Sequence, residues 1–475
     1  MSNLSQGWNV STLGEICSKP QYGWTSKAAH SGELRYVRTT DISNGKINWE
    51  KVPFCSKIPD DIKKYKIRKD DILVSRAGSV GVSYRIKRVP FDAVFASYLI
   101  RFKPTQNINP KYIEYYLKSD EYWKSISDFT AGIAIPNVNA SKLSQLKIPL
   151  APENEQCRIV AKLEKLLQKV DACTERLDKI PTILKRFRQS VLAAACSGRL
   201  TEDWRVKNPD VEPAIDHLKS LLKKRKRAAN FDSHEIHNWT STPVKSLYDS
   251  FGGGTPSKSR TEFWNGSIPW VSSGDVKTDK IEQGTYFITQ EGLENSSASM
   301  CPEHSIIVVV RSGVLKHVLP VAIVQNPLTI NQDIKCFDST DTCLNYWLLL
   351  NLKAYQNEIL KLNREGTTVQ SVKYDTLKNF RINIPPPAEQ HEIVQRVEAL
   401  FKIADQIEER YNKARTYVDK LTQSILVKAF RGELVPQDPT DEPASELLKR
   451  IKEEKAKTET KAKSTKRGRQ SKAQT

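Results

Sequence analysis

A chain of 475 residues is long for one domain and suits two to four. Lysine and arginine outnumber aspartate and glutamate by 74 to 55, and the net +19 favours a polyanionic partner, nucleic acid before membrane. No run of eighteen apolar residues, no leader-like start and no Cys-x-x-Cys pair among eight cysteines occurs, so a cytoplasmic chain without membrane span, disulfide framework or zinc site is expected.

The first segment, 1–151, reads as mixed α and β. Strands are predicted at Tyr36-Val37-Arg38, at Asp71 to Arg76 before the Ala77-Gly78 turn, and over the β-branched and aromatic run Val94 to Phe102. Pro110 opens a helix through Tyr112, Ile113, Tyr116 and Leu117. A loop follows from Gly132 to Val138. The segment 152–237 is a helical spacer and linker. Its apolar positions Ile159, Leu163, Leu166, Val170, Cys173, Leu177, Ile180, Leu184, Phe187 and Val191 step by four and three, the seam of a heptad helix. Pro181 lies inside that pattern and removes a backbone donor, so a kink or break is predicted there. The run Lys223 to Arg227 then reads as a solvated helix end, a phosphate contact or a nuclear address.

The segment 238–387 copies the first at an offset of 234 residues. Val10 and Leu13 match Val244 and Leu247, and Tyr36-Val37 matches Trp270-Val271. Arg76 matches Arg311, one residue out of step, and Gly132 and Val138 match Gly366 and Val372. The spacer 388–448 repeats the seam at the same offset: Ile393, Val397, Leu400, Ala404, Ile407, Tyr411, Ala414, Val418, Leu421 and Ile425. Arg415 stands where the first copy has Pro181, so this helix is expected to run unbroken for about 50 Å at ~1.5 Å per residue. Glu155-Gln156 recurs as Glu389-Gln390, and Glu212-Pro213-Ala214 as Glu442-Pro443-Ala444. The basic end, 449–475, lacks an apolar run past Lys455 and is expected to be disordered. The fold class is therefore α+β: two tandem mixed α/β globules separated by two long helices that pair as an antiparallel coiled coil, with a pseudo-two-fold internal repeat. Leu163, Leu166, Leu177 and Leu184 are expected to face Val397, Leu400, Ile407 and Leu421 across its seam.

Catalytic signatures are missing. Gly252-Gly253-Gly254-Thr255-Pro256-Ser257-Lys258 has the wrong spacing for a phosphate loop, and Pro256 removes an amide such a cradle uses. There is no Gly-x-Gly-x-x-Gly fingerprint and no His-Glu-x-x-His pair. Pro385-Pro386-Pro387 lacks the ends of an amino-methyltransferase motif. No catalytic or metal residue is assigned. The globules instead carry cations, hydroxyls, amides and aromatics in predicted loops, the groups that contact phosphates and base edges. The candidate DNA-binding residues are Lys19, Tyr22, Trp24, Lys27, Arg38, Thr39 and Arg76 in the first globule. In the second they are Thr255, Ser257, Lys258, Ser272, Arg311, Lys316, Thr368 and Gln370. Each cluster also has a reading as a solvated loop. Trp24 and Trp270 suit the core better than a stacking platform, and Arg76 and Arg311 have a second reading as buried ion pairs.

The order is globule, helix, globule, helix, and its distinctive runs are Ile148-Pro149 to Glu155-Gln156, Ile180 to Leu192, Gly198-Arg199-Leu200-Thr201-Glu202 with Trp204, and Leu421 to Leu434. In that order and in those runs the chain resembles the specificity subunit of type I restriction-modification enzymes. These runs are close to the enteric type IA subfamily. The resemblance implies a non-catalytic subunit with two target-recognition domains, each reading one half of a bipartite asymmetric DNA site. The helices would act as a ruler and dock the methyltransferase subunits. Two methyltransferase and two restriction subunits would be the partners, for adenine methylation or cleavage in defence against foreign DNA. They would bring S-adenosylmethionine, ATP and Mg²⁺; this chain would bind no cofactor. The alternative is a non-catalytic coiled-coil adaptor that binds only proteins.

Overall fold

A computed structural model describes residues 4–43, 45–132, 136–362 and 370–471, with side chains through residue 458. The chain divides into two compact units, residues 1–178 with 412–475, and residues 179–411. Five helices organise them: α1 Glu153–Leu177, α2 Ile180–Cys196, α3 Ala214–Lys224, α4 Pro387–Phe430 and α5 Ala444–Ser471. Pro181 falls in the first turn of α2, where a missing N–H costs nothing, and the helical run is broken before it. With Arg415 at the matching place, α4 continues unbroken for 44 residues. It contributes its first part to the second unit and residues 412–430 to the first.

In the first unit the globule contains two four-stranded sheets and an antiparallel pair, Asn9–Thr12 with Lys147–Leu150. Ile72–Ser75, wholly buried, lies between Ser83–Arg85 and Leu99–Phe102. The run Val94 to Phe102 is not one strand. Ala93–Phe95 and Leu99–Phe102 belong to different sheets, joined by a turn in which Leu99 N–H donates to Ala96 O at 2.9 Å. Tyr98, at that turn, is 61% exposed, so β propensity there reflects two short strands around a corner. The predicted Pro110 helix is present as Pro110–Tyr116, capped by Asn109. Residues 133–135 of the Gly132 to Val138 loop lie outside the described residues.

The second unit has a five-stranded sheet, a four-stranded sheet and a three-stranded one. Ile306–Val309 sits inside the five-stranded sheet and matches Ile72–Ser75 at the 234 offset. The start of the globule follows a different offset. Leu13 N–H donates to Leu146 O, and Val244 N–H donates to Phe380 O. Leu13 therefore corresponds to Val244 and Ile16 to Leu247, three residues away from the alignment the sequence suggests. A shift of three preserves a helical apolar pattern, which is why periodicity misplaces it.

Helix pairing is antiparallel within each unit. In the first, Asp178 pairs with Arg415 while Arg158 pairs with Asp441 at 2.6 Å. In the second, Arg188 reaches Asp405 and Glu408, both at 2.7 Å, while Arg396 reaches Asp203 at 2.6 Å. Leu163, Leu184 and Val397 are buried in this seam, and Leu166, Leu400 and Leu421 pack against it. Leu177 is half-buried. Ile407 is corrected: it is 41% exposed, as Cys173 and Phe187 are also exposed. The break before Pro181 ends the continuous apolar partner. Arg188, bridging to Asp405 and Glu408 on either side of Ile407, closes the helices there through charge instead.

The repeated Glu-Gln pairs are buried joints between globule and helix. Glu155 accepts from Trp8 Nε1 at 3.0 Å, and Glu389 accepts from Trp239 Nε1 at 2.8 Å. Gln156 Nε2 donates to Ala151 O, and Gln390 Nε2 to Pro385 O. The repeated Pro-Ala starts are likewise explained: Ala214 N–H donates to Asn238 O, and Ala444 N–H to Gly7 O. The expected disorder past residue 449 is also corrected, since α5 runs to Ser471. Its Leu447 and Ile451 are buried, and Lys455 Nζ donates to Gly14 O at 2.8 Å and Glu15 O at 2.6 Å. Composition misses such anchoring because lysine, glutamate and alanine are also strong helix formers.

The two buried glutamates differ in support, and this yields a pH prediction. Glu155 has Trp8 on Oε2 and no partner on Oε1. Burial holds its pKa above the ordinary value of 4.5, although the Trp8 hydrogen bond and Arg158 oppose the shift. A raised folded-state pKa means that the native chain binds this proton more tightly than the unfolded chain. The charged carboxylate therefore costs stability as pH rises above 4.5, and the cost is complete above the folded pKa. Glu155→Gln is expected to gain stability over the parent progressively as pH rises from that value. Thermal unfolding of both chains from pH 4 to pH 8 checks it; a gap that narrows with rising pH contradicts the sign.

Candidate nucleic-acid interface

In the first globule the strand Gln21–Tyr22 pairs with Leu99–Phe102, next to Ile72–Ser75. This brings Tyr22 beside Arg76, whose guanidinium carbon lies 5.1 Å from the ring centroid. Tyr22 Oη also accepts from Ala140 N–H at 2.9 Å, and Arg76 O accepts from Val138 N–H at 3.0 Å. The end of the Gly132 to Val138 loop is thus fastened to the strand end that carries the cation. Arg76 Nε is buried without a hydrogen-bond partner. A planar guanidinium held over an aromatic ring, with donor capacity unspent, suits phosphate or a guanine edge. Lys19 and Lys27 are exposed. Trp24 is half-buried, packs on Tyr65 with ring centroids 5.3 Å apart at 55° and donates to Lys57 O, so it serves packing.

Two candidates are held by an aspartate three residues on. Arg38 is held by Asp41, with Nε to Oδ2 at 3.0 Å and Nη2 to Oδ1 at 3.1 Å. That hydrogen-bonded pair raises the arginine's pKa further. Thr39, half-buried, begins the short helix that Asp41 caps. Ser272 takes the place of Arg38 at the 234 offset, and its hydroxyl donates to Asp275 at 2.6 Å. Asp41 and Asp275 therefore explain this repeated position as a turn cap.

The second globule places its cations elsewhere. Ala77 bridges Asn137 in the first unit, and Arg311 bridges Ser371 in the second. Val138 N–H donates to Arg76 O, and Val372 N–H to Val310 O. Arg311 thus corresponds to Ala77, and Arg76 to Val310. The expected equivalence of the two arginines is corrected: a one-residue step along a strand reverses the face a side chain takes. Arg311 is 64% exposed and 3.7 Å from Asp333. Lys316 and Gln370 come together with His317, Asn357 and Lys361 around a cleft of about 430 Å³. Two lysines and two amides on one cleft suit a phosphate backbone and a base edge. Thr255 hydrogen-bonds Gln332, and Ser257 hydrogen-bonds Ser259. Lys258 is exposed beside Trp264, Trp270 and Tyr286. Thr368 lies outside the described residues.

Sequence reasoning missed Asn357 and Lys361, which lie on helical turns far along the chain from Lys316. It also missed Trp264 and Tyr286, whose meeting depends on strand register. The five-cation run is partly structural, since Arg225 and Arg227 both hold Asp249 and Arg225 also donates to Leu247 O. Among the described residues no helix is long and apolar enough to cross a membrane, and no cluster suited to a metal ion occurs.

Residues 5–182 and 236–414 each match the type I restriction modification DNA specificity domain. The chain is 30% identical to the EcoKI specificity subunit of Escherichia coli K12, covering 95% of this chain and 96% of that one. It is 31% identical to the StySPI specificity subunit of Salmonella potsdam, covering 89% of each. Among solved structures it is similar in fold to a chain from a study of the assembly and conformational transition of the type I R-M system. That match has a TM-score of 0.67 at 17% identity and covers 91% of this chain and all of the other. It is also similar in fold to the HsdS subunit from Thermoanaerobacter tengcongensis, at a TM-score of 0.58 and 18% identity, covering 90% of this chain and 98% of that one.

Proposed function

Because the chain belongs to the type I restriction-modification DNA specificity family, we propose that each globule reads one half of a bipartite, asymmetric duplex site. The chain is a recognition subunit and not a catalytic one, and subunits of this family work with DNA and with methyltransferase and restriction subunits. In our reading two methyltransferase subunits dock where helix meets globule, and two restriction subunits join them. These partners hold S-adenosylmethionine, ATP and Mg²⁺, and the complex acts in the cytoplasm. The paired helices set the number of unread base pairs between the two halves of the site.

One observation supports this division most directly. The joints repeat the same indole-to-carboxylate hydrogen bond, Trp8 on Glu155 and Trp239 on Glu389, while the surfaces beyond them diverge. Tyr22 and Arg76 cluster in one globule; Lys316, Lys361 and Gln370 line a cleft in the other. Like joints carrying unlike surfaces are what two different half-sites need.

Exchange of residues 239–387 for the corresponding segment of a relative is expected to change one half of the methylated site and leave the other half and the spacer unchanged. Methyladenine mapping in cells carrying the exchanged chain with its methyltransferase partner reads this. A change in both halves contradicts the assignment of one half-site per globule.

A further inference from the structure

We propose that the second globule contains a stacking pocket for an unpaired nucleobase, formed by Trp264, Trp270 and Tyr286 with Lys258 at its rim. The inference rests on the DNA-recognition reading and goes beyond it, since bases in an intact duplex have no free faces. The three rings stand at steep angles around a cavity of about 300 Å³. Trp264 lies 5.4 Å from Trp270 at 81°, and Tyr286 lies 6.1 Å from Trp264 and 6.2 Å from Trp270. This volume is at the small end for ligand pockets and suits one flat ring system.

The pocket is built by the backbone. Trp264–Val271 pairs with Tyr286–Ile288, and both Trp264 and Ile268 oppose Ile288, which marks a bulge. Bulges re-aim side chains at the cost of ladder hydrogen bonds. Within the bulge Asn265 adopts φ +63°, a left-handed conformation that asparagine tolerates better than most residues. At Gly266 a Cβ would meet Ile288 O at 2.4 Å, so only glycine lets the bulge close on its neighbour. Both indole N–H groups are used inside the protein, Trp264 to Ser257 O at 3.1 Å and Trp270 to Gly254 O at 2.9 Å. The indoles are therefore fixed in place with no donor left over, and the part-exposed surfaces of Trp264 and Tyr286 are what a ligand meets. Trp270 is buried as the floor, whereas Tyr286 is 55% exposed at the mouth.

Charge selects the occupant. Aromatic boxes also hold quaternary ammonium groups, but Lys258 on the rim repels a cation and attracts a nucleotide phosphate. Among the described residues Lys258 has no ion-pair partner. Stacking of one base on such rings contributes on the order of tenfold in affinity. The base comes either from a single strand or from a nucleotide extruded from duplex.

Fluorescence anisotropy on the full chain tests this with three probes: a paired DNA hairpin, the same hairpin with one bulged thymidine, and pentathymidylate. The bulged hairpin or pentathymidylate is expected to bind at least fivefold tighter than the paired hairpin. Preference for the bulged hairpin identifies an extruded base, and preference for pentathymidylate alone identifies a single strand. Trp264→Ala and Tyr286→Ala should abolish the preference, and Trp264→Phe should restore part of it. Tyr286, being exposed, keeps the test valid if Trp264→Ala fails to fold. No preference in the parent chain, or a preference that survives both alanine variants, overturns the pocket. Absence of paired-hairpin binding by the parent chain would count instead against the DNA-recognition reading.

Discussion

Phe430→Ala is expected to destabilise the first unit by about 3–5 kcal/mol, as truncation of a buried phenylalanine typically does. Phe430 ends α4, is 4% exposed, and packs edge-on against Tyr112 and Tyr116 with ring centroids 5.1 Å away in both cases. Those tyrosines cannot move in to fill the space. Tyr112 Oη donates to Pro149 O and Tyr116 Oη to Lys147 O, each at 2.7 Å. The cavity term should therefore be nearly complete. The matching position in the second unit is Cys196, also buried, and Cys196→Ala removes a single heavy atom. Its expected cost is about 1 kcal/mol or less. Urea unfolding of the full chain, with amide exchange to locate the lost protection, distinguishes the two. Similar losses for both variants would show that the helix end is not anchored by this aromatic cluster.

Arg205→Ala is the second large effect, about 3 kcal/mol in the second unit. Glu389 is 1% exposed, and its carboxylate accepts from Trp239 at 2.8 Å, from Thr201 at 2.7 Å and from Arg205. Removing the guanidinium leaves a buried negative charge held only by neutral donors, and breaking such pairs typically costs ~3–5 kcal/mol. The lower end applies because the Arg205 side chain is 22% exposed, so water replaces part of what is lost. Adding Glu389→Gln to Arg205→Ala removes the uncompensated charge and should recover part of the stability. A double-mutant cycle measured by thermal unfolding checks the coupling. Strict additivity would mean that arginine and glutamate act independently. Glu155, which lacks a guanidinium partner at the equivalent joint, explains why charge removal is expected to stabilise one unit and not the other.

Much of the organisation was readable from the linear chain. Apolar steps of four and three located the helices, Pro181 located the break, and the repeated Glu-Gln pairs marked joints whose partners, Trp8 and Trp239, were not evident. The absence of nucleotide, metal and amino-methyltransferase motifs directed attention to recognition. These signals are local: a proline's missing N–H and a helix's apolar stripe act within a few residues.

What failed did so where register across distant segments mattered. The start of the second globule slipped by one helical step, since Leu13 and Ile16 resemble Val244 and Leu247 at more than one alignment. Arg76 and Arg311 looked equivalent until backbone pairing gave Arg311 the place that Ala77 holds in the first globule. Arg38 and Ser272 looked free until their aspartates were placed beside them. The chain alone established the repeat, the helices and the basic, motif-poor chemistry, because each depends on neighbours in sequence. Three-dimensional packing alone decided which cations remain available and which aromatics form a box. Those outcomes depend on strand register and on a bulge at Asn265, and a shift of one residue would turn the same side chains to the opposite face.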